Sequence, residues 1–225
     1  MPRFVAQFQR SVTLLLAGPH ARLDDGGTML VHAAAALYVV VRLYDLQGLP
    51  PETVSAARTT AAQTLRNANI DLRWADCPCT RPAGPVELMI RLSASTPESE
   101  PGSLGFSYVD TRKGAGTLAT VFTDRVHALA VASRVKESDL LGRAIVHEIG
   151  HLLLGTHDHT KAGLMRGTWT SIELTKNSAF DWQLTRDDGA GIRKALNVRI
   201  RGAREAKMVA AAERRGWGPF GLTAP

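Results

Sequence analysis

The hydrophobic residues in the first half of the chain fall into short runs of the kind that form β-strands. The first run, LYVVVRL, is rich in β-branched residues and predicts a buried strand, whereas the next two alternate apolar with polar residues as half-exposed strands do. Five strands are predicted in this way, at residues 37–43, 70–74, 86–92, 104–109 and 117–123. The glycine-rich sequence at 113–116 predicts the turn that joins the last two strands.

Helical patterns lie between and after these strands. Four helices are predicted, at about residues 52–67, 125–134, 139–154 and 185–196. Pro50 and Pro51 are typical of a helix start, and Ser138 or Asp139 can cap the third helix, which Gly155 would end. The segment 185–188 is a capping pattern for the last helix. The order of these elements predicts an α+β fold, a mixed sheet with packed helices.

Composition and charge divide the chain into three parts. Its 225 residues, 44% hydrophobic and 21% charged, are ordinary for one soluble domain with extensions. We predict a leader or flexible arm at 1–35, a folded domain at 36–197 and a basic tail at 198–225. Eight basic and two acidic residues between positions 193 and 215 account for the whole net charge of +6. We interpret this excess as a solvated helix face, and we expect no nucleic acid to bind the domain.

The cysteines and the apolar runs say little about location. Cys77 and Cys79 flank one proline, where a disulfide would be strained, and no second cysteine pair exists to complete a zinc site. No apolar run reaches the roughly 18 residues of a membrane helix, so no transmembrane segment is predicted. Short apolar stretches at 12–17 and 29–41 slightly favour a secreted or cell-envelope protein over a cytoplasmic one. We expect a monomer.

The sequence HEIGH at 147–151 carries the chemistry. At 3.6 residues per turn, His147 and His151 lie on one face of a helix, and two imidazoles at that separation can bind one Zn²⁺. Glu148 projects about 100° around the helix, where it can reach an activated water without being a ligand. That is the position of a general base. The other face is apolar and can pack on the sheet through Leu141, Ile145, Ile149 and Leu152.

A third zinc ligand must come from outside this helix, because catalytic zinc sites usually have three protein ligands and one open position. The candidates follow at once as His157, Asp158 and His159. His157 has only two residues after Gly155 in which the chain can reverse, whereas His159 has four. Loop length therefore favours His159 and leaves His157 as the alternative.

This part of the sequence resembles the metzincin signature, in which glycine ends the zinc helix and a third histidine and a Met-turn follow. It departs from that signature because Leu154 stands where the glycine is expected, and Gly155 comes one residue later. His157 keeps the metzincin spacing. The fuller run HEIGHLLLGxxxHxxxGLM is similar to a group of bacterial metzincin-like peptidases, and this similarity implies His159 as the third ligand and Met165 beneath the metal.

The resemblance implies a zinc metallopeptidase that acts on a peptide or protein, with Glu148 as general base. It also implies that an edge strand, expected at 117–123, pairs with the extended substrate. Trp169 is either a pocket residue or an ordinary packed aromatic. Two alternatives stay open from the residues alone: a non-catalytic metal-binding or scaffold protein, and a zinc hydrolase of a non-peptide amide.

Overall fold

A computed structural model describes residues 37–75 and 82–214 of the protein. Within these ranges the strands β1 to β5 are Tyr38–Asp45, Asp71–Ala75, Glu87–Ser93, Gly105–Asp110 and Ala115–Phe122. The helices α1 to α5 are Pro51–Asn67, Thr123–Ser133, Glu137–Leu154, Ser171–Lys176 and Arg186–Arg214, with a short 3-10 helix at Ala179–Trp182. The predicted arm at 1–35, both cysteines and the last part of the predicted tail lie outside the described residues.

The strands form one mixed sheet in the order β2-β1-β3-β5-β4. β1 runs parallel to β2 and β3, β3 runs parallel to β5, and β4 is antiparallel to β5. The predicted α+β fold, a mixed sheet with packed helices, is therefore confirmed. The prediction that 117–123 forms the edge is wrong, because β5 lies between β3 and β4. The turn of this hairpin also falls earlier than predicted, at 111–114.

The hydrophobic core lies between the sheet and the helices α1 and α3. Alternate residues of β1 and β3 are fully buried on this face, as a sheet covered by helices on one side requires. These residues are Val39 and Val41 in β1 and Leu88, Ile90 and Leu92 in β3. Helix α3 buries the predicted apolar face in the same core. Each such side chain contributes about 1.5–3 kcal/mol, so the sheet holds α3 firmly in position.

Helix α3 begins slightly earlier than predicted and ends where predicted. Lys136 precedes its first turn, and no side chain caps the helix there, contrary to the predicted cap from Ser138 or Asp139. Acidic residues in the first turn, Glu137 among them, instead interact favourably with the positive end of the helix dipole. Gly155 ends the helix in the left-handed region, with φ of 72°.

Helix α5 starts as predicted but is much longer than predicted. The hydroxyl of Thr185 donates to the Asp188 carboxylate at 2.6 Å and accepts from its backbone N–H at 3.1 Å. The predicted end near Leu196 is wrong, since the helix continues to Arg214. Leu196 is the last buried residue, but alanines and long charged side chains continue the helix in solvent. In the described ranges, no helix is both long enough and apolar enough to cross a membrane.

The part of α5 that lies beyond the predicted boundary still contacts the rest of the fold. Arg199 donates to the backbone carbonyl oxygen of Gly116 at 2.9 Å and to that of Leu152 at 2.8 Å. Leu152 belongs to α3 and Gly116 to β5. The first turn of the predicted tail is therefore hydrogen-bonded to the predicted folded domain.

Candidate metal centre

Helix α3 brings His147 and His151 into direct contact. They are one turn apart on the same face of the helix, and the two rings meet edge to face with their centroids 4.7 Å apart. Their Nε2 atoms are 3.0 Å apart. The ring of His151 is buried and that of His147 is partly buried, so the pair sits at the boundary between the core and the surface.

Backbone carbonyl groups determine which nitrogen of each imidazole is available. Nδ1 of His147 lies 2.9 Å from the Leu164 carbonyl oxygen, and Nδ1 of His151 lies 2.9 Å from that of Thr156. Because a carbonyl oxygen only accepts, each Nδ1 carries the hydrogen and each Nε2 presents a lone pair. Two lone pairs at this separation repel each other unless a cation lies between them.

The same pair of nitrogens fits a metal ion well. A tetrahedral zinc ion bound at 2.0–2.1 Å holds its ligand nitrogens about 3.3 Å apart, close to the observed Nε2 separation. Burial lowers the pKa of His147 and of His151 to about 4 each. Both imidazoles are therefore neutral at neutral pH, which is the form that binds metal.

His159 joins these two histidines, and His157 does not. Ligand atoms of His147, His151 and His159 all lie within 4.8 Å of one another, so the three could hold a metal ion. The His159 ring is 4.9 Å from that of His151. The His157 ring is 6.3 Å from that of His151 and instead stacks on Phe106 at 6.0 Å. The structure thus groups the three residues of the predicted ligand set.

Glu148 lies on the neighbouring face of α3 and is turned toward the edge strand β4. Its side chain is only 6% exposed. The hydroxyl of Ser107 donates to Glu148 Oε2 at 2.6 Å. Burial raises the pKa of Glu148 to about 7, and the hydrogen bond from Ser107 opposes this shift. A carboxyl group with this pKa can both accept and release a proton at neutral pH.

Ser107 was not identified from the sequence. Strand β4 alternates small residues, Gly105 and Ser107, with two aromatic ones, Phe106 and Tyr108. The small residues face α3, and a Cβ atom at Gly105 would lie 2.6 Å from Glu148 Oε1. This small-large alternation was the available indication that something packs closely against one face of the strand.

Met165 and Trp169 lie on another side of the histidines. Met165 is 1% exposed and packs against Gly150 of α3, where a Cβ atom would overlap its sulfur. The adjacent residue, Leu164, supplies the carbonyl that orients His147.

The ring of Trp169 meets that of His147 edge to face at 5.7 Å. The Trp169 ring also meets that of Trp182 edge to face at 5.4 Å and packs against the hydrophobic core. Trp169 is therefore a packed aromatic that also contacts a histidine of the site.

Comparisons with known proteins find similarity in solved structures alone. No family model and no curated protein matches the sequence. The chain is similar to archaemetzincin from Methanopyrus kandleri, with 13% identity over 75% of this chain and 99% of that one, at a TM-score of 0.48. It is also similar to metalloproteinase-II from Bacteroides fragilis (13% identity, 73% and 55% of the chains, TM-score 0.45) and to myroilysin (16%, 69% and 66%, 0.30).

Proposed function

We propose that the protein is a zinc-dependent peptidase of the metzincin type. The observation that carries this proposal is the cluster of three imidazoles with ligand atoms within 4.8 Å of one another, beside a buried carboxyl group. In the proposal His147, His151 and His159 hold one Zn²⁺ through their ring nitrogens. When bound, Zn²⁺ supplies the Lewis acidity that activates water and polarises a peptide carbonyl.

Glu148 is the proposed general base. It would take a proton from the attacking water and pass it to the leaving amine. Its pKa of about 7 in the metal-free protein suits this exchange, and a nearby cation would lower that pKa by favouring the carboxylate. Ser107 holds the carboxylate in one orientation through its hydroxyl. A protein that only bound metal would gain nothing from burying this carboxyl group, which favours an enzyme over the scaffold alternative.

A peptide is the proposed substrate because β4 forms the edge of the sheet in the described residues. Its backbone can pair with an extended chain, and this pairing would place the bound peptide beside Glu148. Two aromatic side chains of the strand, Phe106 and Tyr108, are about half exposed on the opposite face. A non-peptide amide would not use this edge, so the geometry favours a peptidase.

The proposal is tested by metal analysis together with cleavage of a peptide library. We expect one zinc ion per chain and hydrolysis by the wild type. Glu148→Gln should retain zinc and lose about 10²–10⁴-fold in activity, the usual contribution of a general base. Glu137→Gln makes the same chemical change in the first turn of the same helix and should leave activity unaltered. Full activity in Glu148→Gln would show that Glu148 is not the general base. A protein that binds no zinc would exclude the whole proposal.

A further inference from the structure

A cavity of about 500 Å³ lies beside the edge strand β4. Side chains from three strands line it, together with the connection between β3 and β4. Among the lining residues from the strands are Arg91 of β3, Phe106 and Tyr108 of β4, and Thr120 of β5. None of these residues belongs to the metal centre.

The alternation of side chains along β4 separates this cavity from the metal centre. Ser107 points toward Glu148, so the neighbouring residues Phe106 and Tyr108 point to the other face of the sheet. They are 46% and 51% exposed. A peptide strand paired with β4 would alternate in the same way. Every second side chain would face the metal centre, and the side chains between them would lie at the cavity.

Arg91 is a cation in this cavity. Its Nη2 donates to Thr120 Oγ1 at 3.1 Å, and its guanidinium carbon lies 5.9 Å from the centre of the Tyr108 ring. Its Nε is buried and has no hydrogen-bond partner in the structure. Within residues 37–75 and 82–214, no acidic side chain forms an ion pair with Arg91.

Other arginines on the sheet differ in this respect. Arg42 of β1 pairs with Glu87 at 2.6 Å, and Arg73 of β2 pairs with Asp71 at 2.9 Å. A guanidinium without a carboxylate partner can form charge-assisted hydrogen bonds with an anion that reaches its accessible nitrogens. Arg91 therefore stands out as a group that would gain from an acidic ligand.

The wall of the cavity is formed by the connection between β3 and β4. Arg125 donates to the backbone carbonyl oxygens of Glu100 and Ser103 and so holds this connection in place. Glu98 and Glu100 also line the cavity, but both are exposed, so water and salt screen their charges. The guanidinium of Arg91 is more enclosed and interacts more strongly with a group that enters the cavity.

We infer that this cavity is a side-chain subsite of the peptide-binding edge and that it selects a substrate side chain ending in a carboxylate. The inference rests on the proposed function, because it requires an extended peptide paired with β4. Arg91 would bind the carboxylate, and the rings of Phe106 and Tyr108 would cover the methylene groups of the same side chain. The subsite residues hold substrate and take no part in the bond cleavage.

Binding is measured first, with the full-length zinc-loaded Glu148→Gln protein and fluorescein-labelled peptides. Each peptide pair is identical except for Glu or Gln at one position. The Glu peptide should bind about tenfold more tightly, as expected for a charge-assisted hydrogen bond. Adding Arg91→Gln should bring this ratio close to one, and Arg91→Lys should retain part of it. Equal binding of the Glu and Gln peptides, or a ratio unchanged by Arg91→Gln, would overturn the inference.

Arg73→Gln is the matched control. It removes an arginine that also stacks on a tyrosine, at 4.0 Å from the ring of Tyr38, but on the opposite edge strand. The ratio of the affinities for the Glu and Gln peptides should be unchanged in Arg73→Gln. A ratio lost equally in Arg73→Gln and Arg91→Gln would show a general charge effect and would also overturn the inference. Melting temperature and zinc content verify that each variant is folded.

Hydrolysis by the wild-type protein then separates this inference from the proposed function. Mass spectrometry of cleaved library peptides should show the Glu preference at one fixed distance from the cleaved bond, with adjacent positions insensitive. Cleavage without any preference for an acidic side chain would overturn the inferred subsite but would still support the proposed peptidase activity. Arg91-dependent binding of the Glu peptide without any cleavage would support the subsite and count against the peptidase.

Discussion

Helices α3 and α5 are both long and both carry many ionisable residues, but they differ in burial. Thirteen of the 18 residues of α3 are buried, against four of the 29 in α5. In α3 this burial raises the pKa of Glu148 and lowers the pKa of both histidines. In α5 most of the charged groups beyond Leu196 stay in water.

The net charge of a segment therefore does not show where the chemistry of the protein takes place. Helix α5 contains most of the residues responsible for the net charge, yet nearly all of them are solvated as isolated surface groups. Two arginines are exceptions. Arg193 donates to the backbone carbonyl oxygen of Ala68 at 2.7 Å, and Arg199 turns toward α3, where burial lowers its pKa. The candidate site lies instead where a few ionisable groups have lost their water and must interact with one another.

The largest effect is expected at the loop that follows α3, because the two helix histidines cannot complete a site alone. His159→Ala should lower the affinity for zinc by on the order of 10²-fold or more, since loss of groups that merely orient ligands already costs 10–100-fold. His157→Ala should keep zinc and most of the activity. Competition with a chelator measures both. The reverse result would restore His157 as the ligand expected from the metzincin spacing.

A second prediction compares the packing of the two helices. Leu141 in α3 is 1% exposed, whereas Met208 in α5 is 72% exposed. Leu141→Ala should lower the free energy of unfolding by about 2–5 kcal/mol, because it leaves a cavity in the core. Met208→Ala should change it by about 0.5 kcal/mol or less. Urea denaturation measures both, and equal effects would show that α5 packs against something outside the described residues.

The third prediction concerns the buried carboxyl group in metal-free protein. Folding raises the pKa of Glu148 from its usual 4.5 to about 7, so its contribution to stability is present at low pH and is lost as the pH rises through 7. Gln cannot ionise. Chelated Glu148→Gln should therefore be more stable than chelated wild type by about 3 kcal/mol at pH 8, with a much smaller difference at pH 5.

The histidines of the site have lowered pKa values and act in the opposite direction, with stability lost as the pH falls toward 4. They are present in both proteins, so they cancel in the comparison. Denaturant unfolding at the two pH values is the measurement. A difference independent of pH would mean that Glu148 is ionised at pH 5 in the folded protein.

The smallest expected effect lies within α5 itself. A chain ending after Asn197 lacks the two hydrogen bonds from Arg199 to carbonyl oxygens, and we expect it to be about 1–3 kcal/mol less stable. A chain ending after Arg201 retains them and should match the full-length protein. Zinc binding should persist in both. Loss of zinc in the longer one would show that the tail takes part in the site.

Periodicity predicted the helix α3 well, because its determinants are local. The positions of His147, Glu148 and His151 on the helix follow from 3.6 residues per turn, and the apolar face follows from the same repeat. The end at Gly155 depends on one residue that tolerates the left-handed region. The end of α5 was missed because the buried positions stop at Leu196 while the helix-forming residues continue.

The order of the strands in the sheet could not be predicted from local periodicity. A hairpin pattern predicts that β4 and β5 pair, but it does not determine which of the two continues into the rest of the sheet. Here β5 pairs in parallel with β3, and β4 is left at the edge. The predicted edge was therefore wrong by one strand, and with it the expected location of the substrate.

By itself, the sequence determined the five strands, the helices α1 to α3 and the start of α5, together with the α+β class and the helix that carries two histidines and a glutamate, because these depend on local periodicity and on neighbouring residues. It did not predict α4, the short 3-10 helix or the end of α5. Only the tertiary structure decided which surfaces meet. The loop after α3 brings His159 to the helix histidines, strand β4 brings Ser107 to Glu148, and the backbone carbonyl of Leu164 orients His147. Contacts between residues distant in the chain depend on how the whole core packs, and no short segment encodes them.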